Sequence, residues 1–227
     1  NIQKQYLIIG GGRLATHLAS YFKLVDIPFY QWTRKNNQPL SSFLEISEKI
    51  LLAVSDDAIE SLSQSISNKV IIHFSGALTI AKTQSAHPLF TFGYHLYDKK
   101  TYMSIPFITE KGGKSFKTLF PELENPSFSI NQKDKILYHA WASIAGNFSS
   151  ILITEYVNKL VGMGLPHNLA TPYLSQMLHN SIESSKALTG PINRGDRKTI
   201  KKHLDAIDKE FQVIYNAFLT LKNNQIS

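Results

Sequence analysis

The chain has 227 residues, of which 43% are hydrophobic and 18% are charged, so it can bury a substantial core as one large or two modest domains. This composition excludes a disordered or fibrous protein. Because there is no cysteine, disulfides, thiolate metal sites and thiol nucleophiles are excluded, and redox chemistry would need a bound cofactor. The net charge of +7 is scattered and accompanies no nucleic-acid-binding motif, which favours small anions over nucleic acid as partners.

The longest apolar runs, residues 6–9 and 70–74, are far shorter than the roughly 20 residues that cross a bilayer. The N-terminal residues also lack the apolar stretch of a signal peptide. We therefore expect a cytoplasmic protein that does not bind a membrane.

The first third of the chain alternates between apolar runs and helical patterns. Such alternation of strands and helices indicates a parallel sheet. The predicted strands are residues 5–9, 28–32, 50–55 and 70–75, and the predicted helices are residues 13–24 and 57–66.

The middle of the chain, residues 76–125, is less regular. Candidate strands near residues 103–109 and 127–130, with a short helix around residues 113–119, would complete the edge of the sheet. These assignments place the end of the first domain near Ile130.

Long helical patterns replace the strands from Lys133 onward. Helices are predicted over residues 134–161 and 166–188, and an apolar stripe between Ile200 and Leu221 predicts an unbroken final helix. Such a stripe must be covered by its own domain or by a second copy, so we expect a homodimer. The predicted domains are a dinucleotide-binding domain (1–130) and a helical substrate and dimerisation domain (131–227).

The sequence GGGRLA at residues 10–15 fits the pattern G-x-G-x-x-A between a predicted strand and a predicted helix. Gly10 can form the turn, Gly12 lets the backbone approach a pyrophosphate, and Ala15 lets helix and strand pack closely. The phosphates would lie at the free N–H groups of the helix N-terminus. A glycine turn without a ligand is the alternative. The predicted cofactor contacts here are Gly10, Gly12, Arg13 and Leu14.

The end of the second strand indicates which dinucleotide binds. An NAD-binding fold usually carries an acidic residue there for the ribose 2′-hydroxyl, whereas this chain has Thr33, Arg34 and Lys35. A carboxylate would repel a 2′-phosphate, while a hydroxyl and two cations can bind one. NADP(H) is therefore predicted over NAD(H), with ordinary loop cations as the alternative.

The end of the third strand carries Val54, Ser55 and Asp56, on the side of the sheet where ligands gather. These residues are predicted to border the cofactor. Ser55 or Asp56 could instead cap the next helix, and both roles are compatible.

Taken together, these motifs resemble a group of Rossmann-like bacterial oxidoreductases with a helical C-terminal domain long catalogued as of unknown function. The group is related to pyrroline-5-carboxylate, ketopantoate and 6-phosphogluconate dehydrogenase-like enzymes. The resemblance spans nearly the whole chain and implies an α/β fold, with an N-terminal Rossmann domain of mostly parallel strands followed by an all-α domain. It is carried by residues 10–15, 53–57, 73–78, 86–89 and 145–148, and most distinctively by TGPINRGD at residues 189–196 with His203 and Leu204.

Some members of this group resemble an alternative form of ketopantoate reductase, which reduces 2-dehydropantoate with NADPH on the route to pantothenate. The resemblance thus implies a branched 2-oxo acid as substrate, although other members of the group can have other substrates.

His139, Ser143 and Asn147 are spaced by four, which predicts one polar stripe on the first long helix. In the related dehydrogenases a lysine and an asparagine four residues apart occupy such a helix. Asn147 matches the asparagine, but Ser143 stands in place of the lysine. His139 is therefore the predicted proton donor, and Asn147 is predicted to orient the substrate carbonyl or a hydroxyl. A capping or surface role for His139 is the alternative.

Arg194 is predicted to bind a substrate carboxylate through a two-pronged hydrogen bond, or alternatively to pair with Asp196. Asp196 itself is predicted to cap the final helix. His87 either borders the nicotinamide or belongs to a structural turn. The histidines form no His-Glu-x-x-His or similar pattern, so no metal site is expected.

The sequence thus predicts an NADPH-dependent reductase of a small 2-oxo acid, with 2-dehydropantoate as the best single candidate. One alternative is an imine reductase resembling pyrroline-5-carboxylate reductase. Another is a dinucleotide-binding regulatory protein without turnover, which the missing lysine suggests.

Overall fold

The computed structural model of the protein describes residues 5–184 and 188–224. The strands are β1 (Tyr6–Ile9), β2 (Phe29–Trp32), β3 (Lys49–Leu52), β4 (Val70–His73), β5 (Gln84–Pro88), β6 (Phe107–Glu110) and β7 (Ser127–Ile130). Helices of the sheet region are α1 (Arg13–Leu24), α2 (Leu40–Glu45), α3 (Asp56–Ser65), α4 (Lys99–Ser104) and α5 (Phe116–Leu119). The later helices are α6 (Lys135–Ser143), α7 (Ser149–Gly162), α8 (Ala170–Glu183), α9 (Gly190–Arg194), α10 (Arg197–Ala206) and α11 (Lys209–Asn224).

The seven strands form one sheet in the order β2-β1-β3-β4-β5-β6-β7. Strands β1 to β5 are parallel, β6 runs antiparallel to β5, and β7 is parallel to β6. The chain passes from β1 to β2 on one side and then to β3 on the other side, so β1 and β3 flank a topological switch point. In such sheets ligands bind outside the carboxyl ends of the strands at this point. The predicted fold class is confirmed.

The central strands are buried on both faces, as parallel strands covered by helices must be. Alternate residues of β1 enter two separate clusters, with Tyr6 and Ile8 in one and Leu7 and Ile9 in the other. The first cluster contains the apolar face of α1, including Phe22, and the second contains residues of α3. Burial of each large apolar side chain stabilises the fold by roughly 1.5–3 kcal/mol. This apolar centre holds the carboxyl ends of β1 and β3 in place.

The edge of the sheet differs from the prediction, because it contains three strands rather than two. Strand β5 (Gln84–Pro88) is not predicted, since its sequence QSAHP contains no large apolar residue and ends in proline. The strand expected near residues 103–109 begins only at Phe107, because Lys99–Ser104 form α4, with Asp98 as its N-cap.

The helical part of the chain is close to the prediction in extent but not in continuity. A π-helical turn, Ile144–Phe148, connects α6 and α7. The predicted unbroken final helix is wrong, because α10 ends at Ala206 and Ile207 is extended (φ −94°, ψ 158°). The Gln212 amide donates to the carbonyls of Leu204 and Ile207, which satisfies backbone acceptors at the break.

The segment expected to be a loop at residues 189–196 contains the short helix α9, with Pro191 in its first turn. It ends at Gly195, which has the left-handed conformation (φ 69°) usual at a helix C-terminus.

The chain divides into two compact units, Asn1–Leu152 and Ile153–Ser227. The change from strands to helices falls earlier, after Ile130, where β7 ends. The first unit therefore contains α6 as well as the whole sheet.

One helical run in the described residues, Gln132–Gly162, is long and apolar enough to cross a membrane by length and composition alone (31 residues, mean hydropathy 1.2), and none of its apolar window is buried. The sequence predicts no membrane span here, because polar residues divide this segment into short apolar runs. Length and composition do not distinguish a membrane span from a helix that another protein chain covers.

Candidate functional site

A cleft of about 1170 Å³ opens where β1, β2 and β3 end, at the switch point of the sheet. Its volume slightly exceeds the roughly 300–1,000 Å³ that small-molecule sites usually occupy. The lining residues come from three loops and two helix N-termini, and they are Ile9, Gly10, Gly11, Gly12, Arg13, Leu14, Trp32, Thr33, Arg34, Lys35, Ala53, Val54, Ser55, Asp57, Ala58 and Leu62. The cleft thus brings together nine of the ten residues that the sequence predicts for the cofactor.

Gly10 shows why the turn after β1 requires glycine. Its φ of 141° is one that other residues rarely adopt, and a Cβ there would lie 2.2 Å from the carbonyl oxygen of Ala53 and 3.3 Å from Cβ of Ala15. The turn therefore packs directly against the end of β3 and the first turn of α1.

Gly12 has a different role, since a Cβ on it would meet no atom within 4 Å. It is the N-cap of α1 and makes no side-chain cap hydrogen bond, while its carbonyl accepts from the hydroxyl of Thr16 at 3.0 Å. The first N–H groups of α1, from Arg13 and Leu14, therefore lack helical acceptors and face the cleft with the positive end of the helix dipole. This arrangement suits an anionic group such as a pyrophosphate.

The turn after β2 is built by a residue that the sequence analysis did not single out. Oδ1 of Asn36 accepts hydrogen bonds from the backbone N–H of Thr33 (2.8 Å) and from its hydroxyl (3.0 Å). This leaves Arg34 and Lys35 at the tip of the turn, on the cleft, and neither has an ion pair with a carboxylate of the described residues. An asparagine three residues after the strand end is the sequence signal for such a turn.

Val54 and Ser55 line the cleft, but Asp56 does not. Instead, Oδ2 of Asp56 accepts a hydrogen bond from the hydroxyl of Ser75 at 3.0 Å. Ser55 is the N-cap of α3 but makes no side-chain cap hydrogen bond. Asp56 and Asp57 lie in the first turn, where acidic residues interact favourably with the positive end of the helix dipole.

A second polar group lies beside the sheet edge, where α6 packs on β5 and the loop after β4. A hydrogen bond of 2.8 Å joins Nδ1 of His87 to the hydroxyl of Tyr138, and the rings of His87 and His139 meet edge to face at 5.5 Å. Gly76 gives them space, since a Cβ there would lie 2.4 Å from Cδ2 of His139. Burial, followed by the neighbouring His139 and Lys135, lowers the pKa of His87 to about 4, so its imidazole is neutral near pH 7. Tyr138 is not among the residues that the sequence predicts for the site.

His73, at the end of β4, is 1% exposed, and neither ring nitrogen has a hydrogen-bond partner among the described residues. Burial, reinforced by the charge of Lys135, lowers the pKa of His73 to about 4. A second neutral imidazole therefore lies in this part of the sheet.

Asn147 lies in the π-helical turn that follows α6, and it is exposed. A π turn bonds residue i to i+5, which rotates the residues after it relative to an uninterrupted α-helix. Asn147 is thus offset from the stripe that His139 and Ser143 share. Such turns occur frequently at functional sites.

Arg194 lies in the second compact unit, as the exposed last residue of α9. Asp196 caps α10, as predicted, because its carboxylate accepts from the N–H (3.1 Å) and the hydroxyl (2.7 Å) of Thr199. These bonds lower the pKa of Asp196. Arg194 and Asp196, both described, form no ion pair within 4 Å, so the alternative in which they pair with each other does not hold.

Residues 102–221, more than half of the chain, match the family described as "Domain of unknown function (DUF2520)". No curated protein is significantly similar to the chain in sequence.

Solved structures share the fold over nearly their whole length. A candidate NADP oxidoreductase from Bacteroides fragilis is 20% identical, with a TM-score of 0.74 over 95% of this chain and 96% of that one. A reductive aminase from Aspergillus terreus, in complex with NADPH and ethyl levulinate, is 12% identical, with a TM-score of 0.64 over 98% and 94%. Pyrroline carboxylate reductase from Plasmodium falciparum, with NADP bound, is 17% identical, with a TM-score of 0.56 over 98% and 90%. At these identities the likeness establishes the fold.

The buried, neutral His73 predicts how the free energy of unfolding depends on pH. Its pKa is about 4 in the folded protein and about 6.5 when unfolded, so between these values the unfolded chain binds more protons. The contribution of His73 to the free energy of unfolding is therefore fully present above about pH 6.5 and is lost as the pH falls towards 4. Between pH 7 and pH 5 this loss is about 2 kcal/mol. Urea denaturation at the two pH values measures the loss.

The variant His73→Leu should lose about 2 kcal/mol less than the wild type over the same pH interval. His95→Leu, which makes the same substitution at an exposed position, is the control. Equal pH dependence of wild type and His73→Leu would show that His73 does not stay neutral in the folded protein.

Proposed function

This chain belongs to the family "Domain of unknown function (DUF2520)" and carries a glycine-lined cleft with Arg34 and Lys35 at its rim. From these two observations we propose that it is an NADPH-dependent reductase of a small 2-oxo acid. Within this class 2-dehydropantoate is our preferred substrate, which would make the protein a cytoplasmic ketopantoate reductase of pantothenate biosynthesis. The cleft is the observation on which the proposal depends, since it joins a pyrophosphate site to a site for a 2′-phosphate.

The cofactor would be held at two places in the cleft. The N–H groups at the start of α1 bind the pyrophosphate, which the open side of Gly12 lets approach closely. Arg34 and Lys35 bind the 2′-phosphate and offset its charge. Thr33, which the sequence predicts as a third contact, holds their turn instead, since its N–H and hydroxyl both donate to Asn36. Bound NADPH supplies the hydride that a carbonyl reduction needs.

The chain's own residues must then bind the substrate and deliver a proton. We assign the proton to His139, whose ring is fixed against Gly76 and His87. Asn147 orients the carbonyl oxygen, and Arg194 binds the carboxylate by two parallel hydrogen bonds. In this assignment residues 1–130 bind the cofactor, and residues 131–227 supply substrate binding and dimerisation.

A second candidate function is reduction of an imine. It is favoured by the structural likeness to a pyrroline carboxylate reductase and to a reductive aminase. The cofactor site would be the same for both reactions, so only the substrate distinguishes them.

A second copy of the chain would cover the exposed apolar side chains of the Gln132–Gly162 helix. Ile136, Leu137, Trp141 and Ile151 are each more than half exposed, which is unusual for large apolar residues of a monomer. We therefore propose a homodimer that needs no membrane.

Cofactor preference is tested by Arg34→Ala. Loss of a charge-assisted contact to phosphate should raise the Kd for NADPH about 10- to 100-fold and change the Kd for NADH by less than about twofold. Fluorescence titration with each cofactor measures both constants. Lys23→Ala removes an exposed cation of α1 outside the cleft and should change neither. Equal weakening of NADPH and NADH binding would refute the 2′-phosphate site.

The reaction is tested by following NADPH oxidation with 2-dehydropantoate and, in parallel, with a cyclic imine carboxylate. We expect turnover with the oxo acid, a decrease of about 100-fold or more in kcat for His139→Ala, and a higher KM for Arg194→Ala. Asn147→Ala should also lower kcat, while the Kd for NADPH stays within about twofold in all three variants.

His167→Ala changes an exposed histidine of the second unit and is the control for these three variants. Turnover of the imine alone would support the second candidate. Tight NADPH binding without turnover of either substrate would instead indicate a regulatory dinucleotide-binding protein.

Light scattering of detergent-free protein tests the homodimer. The expected mass is twice the 25.6 kDa of the chain. Ile151→Glu should shift the mass towards that of the monomer, because a buried unpaired charge opposes association. Thr154→Glu places the same charge at an exposed polar position of the same helix and should not. A protein that is recovered only in detergent would contradict the proposal.

A further inference from the structure

The first residue of α6 is a buried lysine that the proposed chemistry does not use. The Lys135 side chain is 4% exposed, and its ammonium group reaches three segments of the chain. It donates to the backbone carbonyl of Leu78 in the loop after β4, to the hydroxyl of Ser85 on β5 (3.0 Å), and to Oε1 of Glu110 at the end of β6 (2.5 Å). An ammonium group has three donors, so all three are used.

Glu110 is held equally firmly. Its second oxygen, Oε2, accepts from the side-chain amide of Gln132 at 2.9 Å, and its side chain is 13% exposed. The nearby His73 and His87 are neutral near pH 7, because burial lowers the pKa of each to about 4. Neither imidazole therefore competes with Lys135 for the carboxylate.

A buried ion pair of this kind is a poor source of stability, because removal of two charges from water costs about as much as their attraction returns. It does restrict geometry, since an ammonium group bound to three fixed acceptors has one position. Lys135 thus fixes the first turn of α6 on the loop after β4, on β5 and on β6.

The same segments contact α6 again one turn later. On β5, Ser85 and His87 are two residues apart and so face the same side, roughly 6.5 Å from each other. On α6, Tyr138 is three residues after Lys135 and so lies on its face, roughly 4.5 Å further along the axis. The Lys135–Ser85 and Tyr138–His87 hydrogen bonds are therefore successive links between one helix and one strand.

The loop after β4 repeats this relation. Its Leu78 carbonyl binds Lys135, and its Gly76 touches the ring of His139, four residues after Lys135. A shift of α6 by a fraction of a turn would break both links and drive His139 away from His87. Displacements of about 1 Å at a reacting group can reduce rates about 100-fold.

We propose, on the basis of the function proposed above, that Lys135 is a positioning residue for catalysis. Through Leu78, Ser85 and Glu110 it sets the register of α6 against β5, and that register orients the imidazole of His139 and the hydroxyl of Tyr138. Lys135 itself touches neither cofactor nor substrate.

The double variant Lys135→Met/Glu110→Gln tests this role without leaving an unpaired buried charge. We expect it to fold, as judged by circular dichroism and urea denaturation, and to bind NADPH with a Kd within about twofold of wild type. Its kcat should be about 10- to 100-fold lower with little change in KM. In nitrogen-15 spectra of the imidazoles, the signals of His87 and His139 should move.

Lys69→Met is the matched control, because the ammonium of Lys69 also donates to a backbone carbonyl, that of Ser47 (2.7 Å). Lys69 precedes the start of β4, whereas Lys135 contacts the loop that follows the other end of this strand. It should change neither kcat nor the histidine signals. A folded double variant with wild-type kcat would overturn the catalytic role of Lys135, and unmoved histidine signals would overturn the positioning itself.

Failure of the proposed function is recognised separately. If the wild type fails to oxidise NADPH with any of the tested substrates, the reductase assignment fails. The imidazole signals of the double variant still decide whether Lys135 sets the positions of His87 and His139.

Discussion

The close approach of Gly10 to the carbonyl of Ala53 is the contact on which the cofactor cleft depends. Only a residue without Cβ can turn there at φ 141° and let the end of β1 touch the end of β3. Gly10 also lies close to Ala15 in the first turn of α1, whose first residues, Arg13 and Leu14, line the cleft at the switch point. The apolar residues beneath, on both faces of β1 and β3, make this turn rigid. Everything proposed for the dinucleotide follows from that rigidity.

The two edges of the sheet are built by different interactions. Beside β1 and β3 the strands are apolar on both faces, and position is fixed by packing. Beside β5 and β6 one face carries Ser85, His87 and Glu110, and position is fixed by hydrogen bonds to α6. Packing tolerates small adjustments, whereas a polar layer allows few arrangements that satisfy all of its groups. The cleft at one edge is thus shaped by close packing, whereas the orientation of His87, His139 and Tyr138 at the other edge is fixed by hydrogen bonds.

The sequence predicts the part of this structure that local rules determine. GGGRLA between a strand and a helix is enough to predict the turn at Gly10, and the basic residues after β2 are enough to place Arg34 and Lys35 on the cleft. Strand β5 could not be predicted, because hydrogen-bond partners of its polar side chains lie on α6, about fifty residues later in the chain. For the same reason Glu110 and Lys135 look like ordinary surface charges in the sequence. The break at Ile207 has no glycine or proline to mark it, since it is satisfied by the side chain of Gln212.

The turn that holds Arg34 and Lys35 also affects how this protein can evolve. Its shape comes from Asn36 and Thr33, which bond to each other, while the two cations project from the tip without structural partners among the described residues. Mutations at the tip can therefore change which dinucleotide is preferred without disturbing the backbone of the turn. In a lineage whose cellular supply of reducing equivalents changes, selection could therefore alter the cofactor preference of the protein while its fold is kept.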